Sequence, residues 1–331
     1  MALGAEHLRK WQFLAALLTA LVVSLTSLAS ARLLINPRLA VSKFEFALIG
    51  DLPYNSEQET KFLNLIEDIN HFKLAFVVHD GDFKSGATPC SNQIFLQRRN
   101  LFQTFQHPFI FIPGDNEWTD CHRTGFAPLE RLAKLRETFF QGSLSLGKPS
   151  LKLNRQSDDP KYQAFRENVW WSYSNVMFVG LNVVGSNNNF GRTAEADQEY
   201  AQRNAANLSW MQSSFTLAKR DKRSGIMLII QANPGFELSP NDPNRTGFND
   251  FLAALESETL AFGKPVILVH GDTHYFRVDK PLLNSHNQRR IQAFTRVETF
   301  GSPDVHWLKS TVDPQNPNLF SFEPVLVQKN L

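Results

Sequence analysis

Four segments of this 331-residue chain close in the same way, with an apolar run, a glycine and an aspartate. They read F-A-L-I-G-D to Asp51, F-V-V-H-D-G-D to Asp82, F-I-F-I-P-G-D to Asp115 and V-I-L-V-H-G-D to Asp272. Carboxylates are hard oxygen donors, and several aimed at one crevice repel each other unless a cation or a set of salt bridges sits among them. His270 and His274 flank the last aspartate, and His79 lies inside the second segment. Mixed Asp, His and Asn donors suit divalent transition metals such as Mn, Fe or Zn, whereas Ca and Mg take oxygen alone. A lone Gly-Asp is more often a turn or a helix cap, because Asp bonds its own backbone there. Four of them, with His and Asn close by, argue for a shared site.

The elements that must position these residues follow from the pattern around them. Runs of four to six β-branched or aromatic residues bounded by Gly predict buried strands, and Gly lets the chain turn sharply where each ends. If the four strands are parallel neighbours in one sheet, their carboxylates converge on the edge where open α/β sheets bind ligands. The predicted order is strand 44–50, helix 56–70, strand 74–79, helix 91–105 and strand 108–112, a βαβαβ opening that asks for right-handed crossovers. A helix at 126–140 precedes a polar stretch, 142–168, that reads as a long surface insertion. Strands 169–174 and 176–184 form a hairpin. Helix 194–219, strand 226–231, helix 246–262, strand 265–270 and tail strands 291–299, 304–311 and 319–327 complete the chain. No internal repeat or compositional break divides residues 44–331, so one domain with two sheets and flanking helices is expected. The stretch 142–168 and the Asn- and Pro-rich 233–249 are expected to rim its pocket.

A net charge of +2 with mixed charges throughout gives no case for nucleic acid, and twenty-eight phenylalanines argue for a well-packed core rather than disorder. Arg9 and Lys10 precede an uncharged run ending in Ala29-Ser30-Ala31. Residues 1–31 therefore read as a signal peptide or an N-terminal membrane anchor through residues 11–31, with an ordinary buried helix as the remaining alternative and 32–43 as a linker. The first two place the domain outside the cytoplasm, in the periplasm or beyond the cell. Cys90 and Cys121 suit that compartment as a disulfide joining two loops after Gly-Asp turns; two separate buried thiols are the alternative. Asn207-Leu-Ser and Asn244-Arg-Thr match glycosylation acceptors.

The blocks Gly-Asp51-Leu-Pro53, Gly-Asp82-Phe-Lys84, Gly-Asp115-Asn116-Glu117, Gln231-Ala-Asn233 and Gly-Asp272-Thr-His274 resemble, in order and spacing, those of the calcineurin-like metallophosphoesterases. That family's signature runs Asp-x-His, Gly-Asp-x-x-Asp, Gly-Asn-His-Asp/Glu, a lone His and Gly-His-x-His, each after a strand. The resemblance, over about residues 44 to 310, implies an α/β fold with a two-sheet β-sandwich flanked by helices, four layers in the order α/β/β/α. It also implies one or two divalent ions, the first on Asp51, Asp82 and His274 and the second on Asp82, Asp115, Asn233 and Asp272. His270 would ligate or orient a ligand. The activity it implies is hydrolysis of a small phosphate mono- or diester by metal-activated hydroxide. Asn116 would hydrogen-bond a phosphoryl oxygen, with Glu117, His122 or His79 as general acid and Lys84, Arg123 and Arg277 holding phosphate.

The departures cluster at the ligands. Pro53 stands for a histidine, Asp115 for an asparagine, Asn116 for the histidine that assists the leaving group, Asn233 or Gln231 for the lone histidine, and Asp272 for a histidine. The donor set shifts toward oxygen, which favours Mn, Mg or Ca over Zn. Tyr54 reads as a packing residue with a hydrogen-bonded tip. Two other functions stay open: a degenerate fold that binds metal or a phosphorylated ligand without turnover, and a hydrolase of a different ester.

Overall fold

A computed structural model describes residues 42–331. The leader and most of the linker lie outside the described residues. Among the described residues no helix is long and apolar enough to cross a membrane.

The strands alternate their side chains between two apolar layers, which is what burial on both faces requires of a parallel sheet. In β1 (Phe44–Ile49) Phe46 and Leu48 face the second sheet, while Ala47 and Ile49 face helices. In β8 (Gly225–Ile229) Met227 and Ile229 face the first sheet, while Ile226 and Leu228 pack under helices on the other side. The outcome is the four-layer sandwich expected from the sequence.

The first sheet has six strands in the order β13-β12-β1-β2-β3-β4. Here β2 is Val77–His79, β3 Pro108–Phe111, β4 Leu146–Gly147, β12 Trp307–Val312 and β13 Phe320–Val325. Its outer face carries α1 (Ser56–Asn70), α2 (Asn92–Phe102) and α3 (Pro128–Phe139), through Phe62, Leu65, Phe102 and Leu135. Asn55 and Ser91 cap the first two helices by accepting from Gln58 N and Ile94 N.

The second sheet has seven strands in the order β10-β11-β9-β8-β7-β6-β5. Its members besides β8 are β5 (Asn154–Arg155), β6 (Val169–Tyr173), β7 (Val176–Gly180), β9 (Val266–His270), β10 (Arg277–Asp279) and β11 (Phe294–Glu298). The helices α4 (Ala194–Arg220) and α5 (Asn249–Phe262) cover it. The hairpin turns at Ser174-Asn175, with Ser174 at φ 52°.

Three expectations change. β9 pairs in parallel with β8 and β11, not with β1, β2 or β3, so the four Gly-Asp strands are shared between the sheets. Residues 142–168 are not a detached rim: β4 extends the first sheet beside β3 and β5 extends the second beside β6, so the stretch stitches one edge of the sandwich. Within it Glu167 is buried against Arg136 at 2.6 Å and Asn182 at 2.9 Å. The sequon residue Asn207 is also buried on α4, donating to Asn182 O at 2.7 Å, so that side chain is not available for glycosylation; Asn244 is exposed.

Candidate functional site

Asp51, Asp82 and Asp115 follow β1, β2 and β3 at one end of the first sheet, and Asp272 follows β9 across from them in the second. Asp51 and Asp82 take left-handed backbone at φ 51° and 61°, and Asp272 at φ 76°. Such a φ costs a non-glycine residue roughly 1–2 kcal/mol and persists only where the surroundings fix it. The fixing contacts are hydrogen bonds between the turns. Asp272 N donates to Asp51 Oδ2 at 3.0 Å, and Asn116 N donates to Asp82 Oδ1 at 3.0 Å. Two glycines make the approach feasible: a Cβ on Gly114 would collide with Asp82, and one on Gly271 with Asp51.

Electrostatics mark the cluster. Burial, then Asp115, Glu117, Asp51 and Asp272, push the Asp82 carboxyl well above the usual range. Burial, then Asp115 and Asp51, raise Asp272 to about 8, and burial with Asp120 raises Asp115 to about 6. Asp80, fully buried beside Asp51, is also pushed up by burial first. Without a positive partner Asp82, Asp80 and Asp272 hold protons at neutral pH, whereas Asp115 is mostly ionised there.

Between them stand two neutral side chains. The Tyr54 hydroxyl lies 3.4 Å from Asp51 Oδ1, 3.5 Å from Asp82 Oδ2 and 3.2 Å from His274 Nε2, and it accepts from Asn116 Nδ2 at 3.1 Å. Tyr54 is therefore part of the site rather than a packing residue. The Gln231 amide donates from Nε2 to Asp82 Oδ2 at 3.0 Å and Asp272 Oδ1 at 3.4 Å, while its Oε1 accepts from Gly185 N at 2.7 Å. His274 Nε2 is 3.5 Å from Asp51 Oδ1, and its Nδ1 meets Ser302 O at 2.7 Å. That contact fixes the ring so that Nε2 faces the carboxylate.

These are the donor types a divalent cation takes, yet among the described residues no three His, Cys, Asp or Glu side chains form a metal-holding group on their own. Counting the Tyr54 hydroxyl joins Asp51, Asp82 and His274 around one point; the Gln231 amide ties Asp82 to Asp272.

Other expected site residues are placed elsewhere. Asn233 turns its Oδ1 to its own loop, accepting from Gly235 N at 3.2 Å, so it meets Asp272 Oδ2 only through its backbone N at 3.1 Å, and the side chain that reaches the carboxylates is that of Gln231. His270 sits on the helix-facing side of β9 with Val266 and Leu268, near Arg296, Arg277 and Glu237, and its Nδ1 meets Gly271 O at 2.9 Å, while the left-handed backbone of Asp272 takes that carboxylate out of the strand's alternation. Burial holds its imidazole neutral, down to about 3. His79 is buried among Phe62, Phe102 and Phe111, bridging Leu52 O at 2.9 Å and Gly81 N at 3.2 Å, and burial lowers it to about 4. It ties two site loops together and does not reach the crevice.

Glu117 is likewise an architectural group. Its carboxylate accepts from Asp82 N at 3.0 Å, Phe83 N at 2.6 Å and Gly114 N at 2.8 Å, clamping the turns after β2 and β3. Burial raises it to about 7. Lys84, expected at an exposed mouth, is instead buried, with Glu117, Asp82 and Asp120 as its charged surroundings. Arg277 binds Glu298 Oε2 at 2.6 Å, and Glu298 also takes the Thr273 hydroxyl, so Arg277 braces the 272–274 turn. His122 is exposed, with Nδ1 on Thr119 O at 2.7 Å. Arg123 pairs with Asp120 at 2.7 Å and flanks Gly86 together with the Asn116 side chain.

Ser186 was not foreseen from the sequence. Its hydroxyl donates to Asp115 Oδ2 at 2.9 Å from a run in which Ser186, Asn187, Asn188 and Asn189 all have positive φ, between 53° and 64°. Asn tolerates this backbone best after Gly, so the Gly185-Ser-Asn-Asn-Asn stretch was the available signal. Buried Arg203 holds the run by donating to Asn188 O at 2.9 Å, and Gly247 N donates to Asn187 Oδ1 at 2.8 Å.

Cys90 and Cys121 form a disulfide, with Cα atoms 5.7 Å apart and a sequence separation of 31. It backs the loop of Asn116 and Glu117, where Cys121 Sγ lies 3.2 Å from Glu117 O. Loop-closure entropy sets the expected loss for a Cys90→Ser, Cys121→Ser variant at about 3–4 kcal/mol, read as a lower urea midpoint.

No family model matches the chain, and no curated protein is detectably similar to it. Solved structures are. PhoD superposes with a TM-score of 0.52 at 12% identity, over 83% of this chain and 64% of that one. The purple acid phosphatase PPD1 from yellow lupin seeds superposes at 0.51 and 12% identity, over 88% of this chain and 53% of that one. The fold is that of the calcineurin-like metallophosphoesterases. The chain spans between half and two-thirds of the length of these two proteins. In this chain the ends of β1, β2, β3 and β9 meet from opposite sheets, which brings its four aspartates together.

Proposed function

We propose that this chain is a divalent-cation-dependent hydrolase of phosphate mono- or diesters. The observation that carries the reading is the convergence of four strand-end carboxylates that repel one another, at the meeting edge of a metallophosphoesterase sandwich. Asp51, Asp82 and His274 would face one cation, and Asp82, Asp115 and Asp272 a second. Their oxygen-rich character favours Mn or Mg. A bound cation there supplies charge neutralisation for a phosphoryl group and an acidified water.

The chain's own groups do the rest. Arg123, exposed and paired only with Asp120 at 2.7 Å, is the guanidinium placed to receive a phosphoryl oxygen beside Asn116. Neither Glu117 nor His79 has a free proton-transferring atom at the crevice. His122, exposed and engaged only through Nδ1, is the remaining general-acid candidate, and substrates with good leaving groups need none. The disulfide supports an oxidising, extracytoplasmic compartment for this activity.

The test is hydrolysis of an aryl phosphate monoester and an aryl phosphodiester by chelator-treated protein, before and after Mn or Mg is restored. Cation-restored turnover supports the reading; bound cation without turnover of either ester supports a degenerate binding protein. The observation favouring that second reading is the Gln231 amide, whose N–H groups lie between Asp82 and Asp272.

A further inference from the structure

The first Gly-Asp turn carries Pro53 where a nitrogen donor would be expected, and the next residue, Tyr54, places its hydroxyl within reach of three cation-type donors. We propose that the Tyr54 hydroxyl is itself a cation ligand, completing a set with Asp51, Asp82 and His274. The inference rests on the cation-dependent reading above.

The spacing is the argument. Oxygen and nitrogen donors bound to a divalent transition ion at about 2.0–2.3 Å stand roughly 3.0–3.5 Å from their neighbours in the shell. Tyr54 Oη lies 3.2 Å from His274 Nε2, 3.4 Å from Asp51 Oδ1 and 3.5 Å from Asp82 Oδ2, and His274 Nε2 lies 3.5 Å from Asp51 Oδ1. All four separations are shell-edge distances. Three of them are also long for hydrogen bonds ending on a hydroxyl. Without Tyr54, the Asp and His side chains do not close a group.

The surroundings hold the phenol in place. Asn116 Nδ2 donates to Tyr54 Oη at 3.1 Å, which fixes where that oxygen sits, while burial and then Asp82 and Asp51 keep the phenol protonated until a cation offsets the carboxylates. Tyr54 N donates to Gln58 Oε1 at 2.8 Å, and the ring stands edge-on to His274 at 5.3 Å between centroids. Asn116, where a catalytic histidine would be expected, thereby becomes a positioning residue for the phenol.

The experiment compares Mn content after dialysis, and the Mn-induced rise in Tm, for wild type, Tyr54→Phe and Tyr54→His. Tyr54→Phe keeps the ring and loses only the donor; Tyr54→His returns a donor nitrogen. The expected result is a wild type that retains Mn, a Tyr54→Phe variant weakened roughly tenfold or more, and a Tyr54→His variant that recovers at least part of the loss. Tyr54→Phe that binds Mn as tightly as wild type, or more tightly, overturns the proposal; tighter binding means the hydroxyl plugs the position instead. If Tyr54→Phe does not fold, Tyr54→His that folds and retains no Mn also overturns it. A wild type that binds no divalent cation overturns the cation-dependent reading itself, an outcome distinct from the others.

Discussion

Asp82→Asn is expected to lower cation-dependent phosphoester hydrolysis by roughly 10³-fold or more, equivalent to about 4 kcal/mol of transition-state stabilisation. Both oxygens of Asp82 are engaged. Its Oδ1 accepts from Asn116 N at 3.0 Å, and its Oδ2 faces Gln231 Nε2 at 3.0 Å and the Tyr54 hydroxyl at 3.5 Å. It is the one group common to both proposed donor sets. Asparagine matches its shape and can keep the bond from Asn116 N, but its amide brings N–H groups to where a cation needs an anion. Steady-state kinetics with Mn restored, together with metal content, measure the effect. Wild-type turnover with wild-type metal content in this variant would remove Asp82 from the mechanism.

The second large effect is on stability against pH. In cation-free protein Asp115 titrates near 6, Glu117 near 7 and Asp272 near 8, and Asp82 and Asp80 are raised well above the ordinary carboxylate range. Unfolded carboxyls titrate near 4. Between about pH 4 and 8 these carboxyls hold more protons folded than unfolded, so their contribution to stability falls as pH rises through that window; the buried neutral His79 and His270 act in the opposite sense only below about pH 6.5, where their unfolded imidazoles charge, so the decline is steepest above it. A decrease in Tm on the order of 5 °C between pH 5 and pH 8 in chelator is expected, since each kcal/mol moves a domain of this size by about 2–4 °C. Millimolar Mn competes with those protons, so its stabilising increment grows over the same range. Asp272→Asn removes one of the groups and flattens the decline. A chelator-treated wild type whose Tm rises steadily from pH 5 to 8 would show that the carboxylates do not repel as the geometry requires.

Much of the frame was legible before any coordinates. The βαβαβ opening, the hairpin at Ser174-Asn175 and the positions of the five long helices follow from apolar periodicity and turn residues. Strand β10 was missed because Arg277–Asp279 has no apolar run. The disulfide between Cys90 and Cys121, one of two readings, required only that the segments after β2 and β3 be neighbours, which parallel pairing of those strands ensures. His79 and His270 read as candidates because a histidine at a strand end has the same letter whether it faces the crevice or the core. Lys84 misled in the same way, since lysine is seldom buried, and here the acid cluster holds it inside.

The amino-acid sequence by itself determined that Asp51, Asp82, Asp115 and Asp272 each follow a buried strand, because a glycine-terminated apolar run turns sharply where it ends. Only the tertiary structure decided which donors share one edge. It set Asp272 opposite Asp51 from the other sheet, chose Gln231 over Asn233, brought in Ser186 and swung Tyr54 into the place that Pro53 leaves without a donor. Those outcomes depend on pairing across sheets and on the direction of single side chains. Both are set by contacts between residues far apart in the chain, and local periodicity carries no record of them.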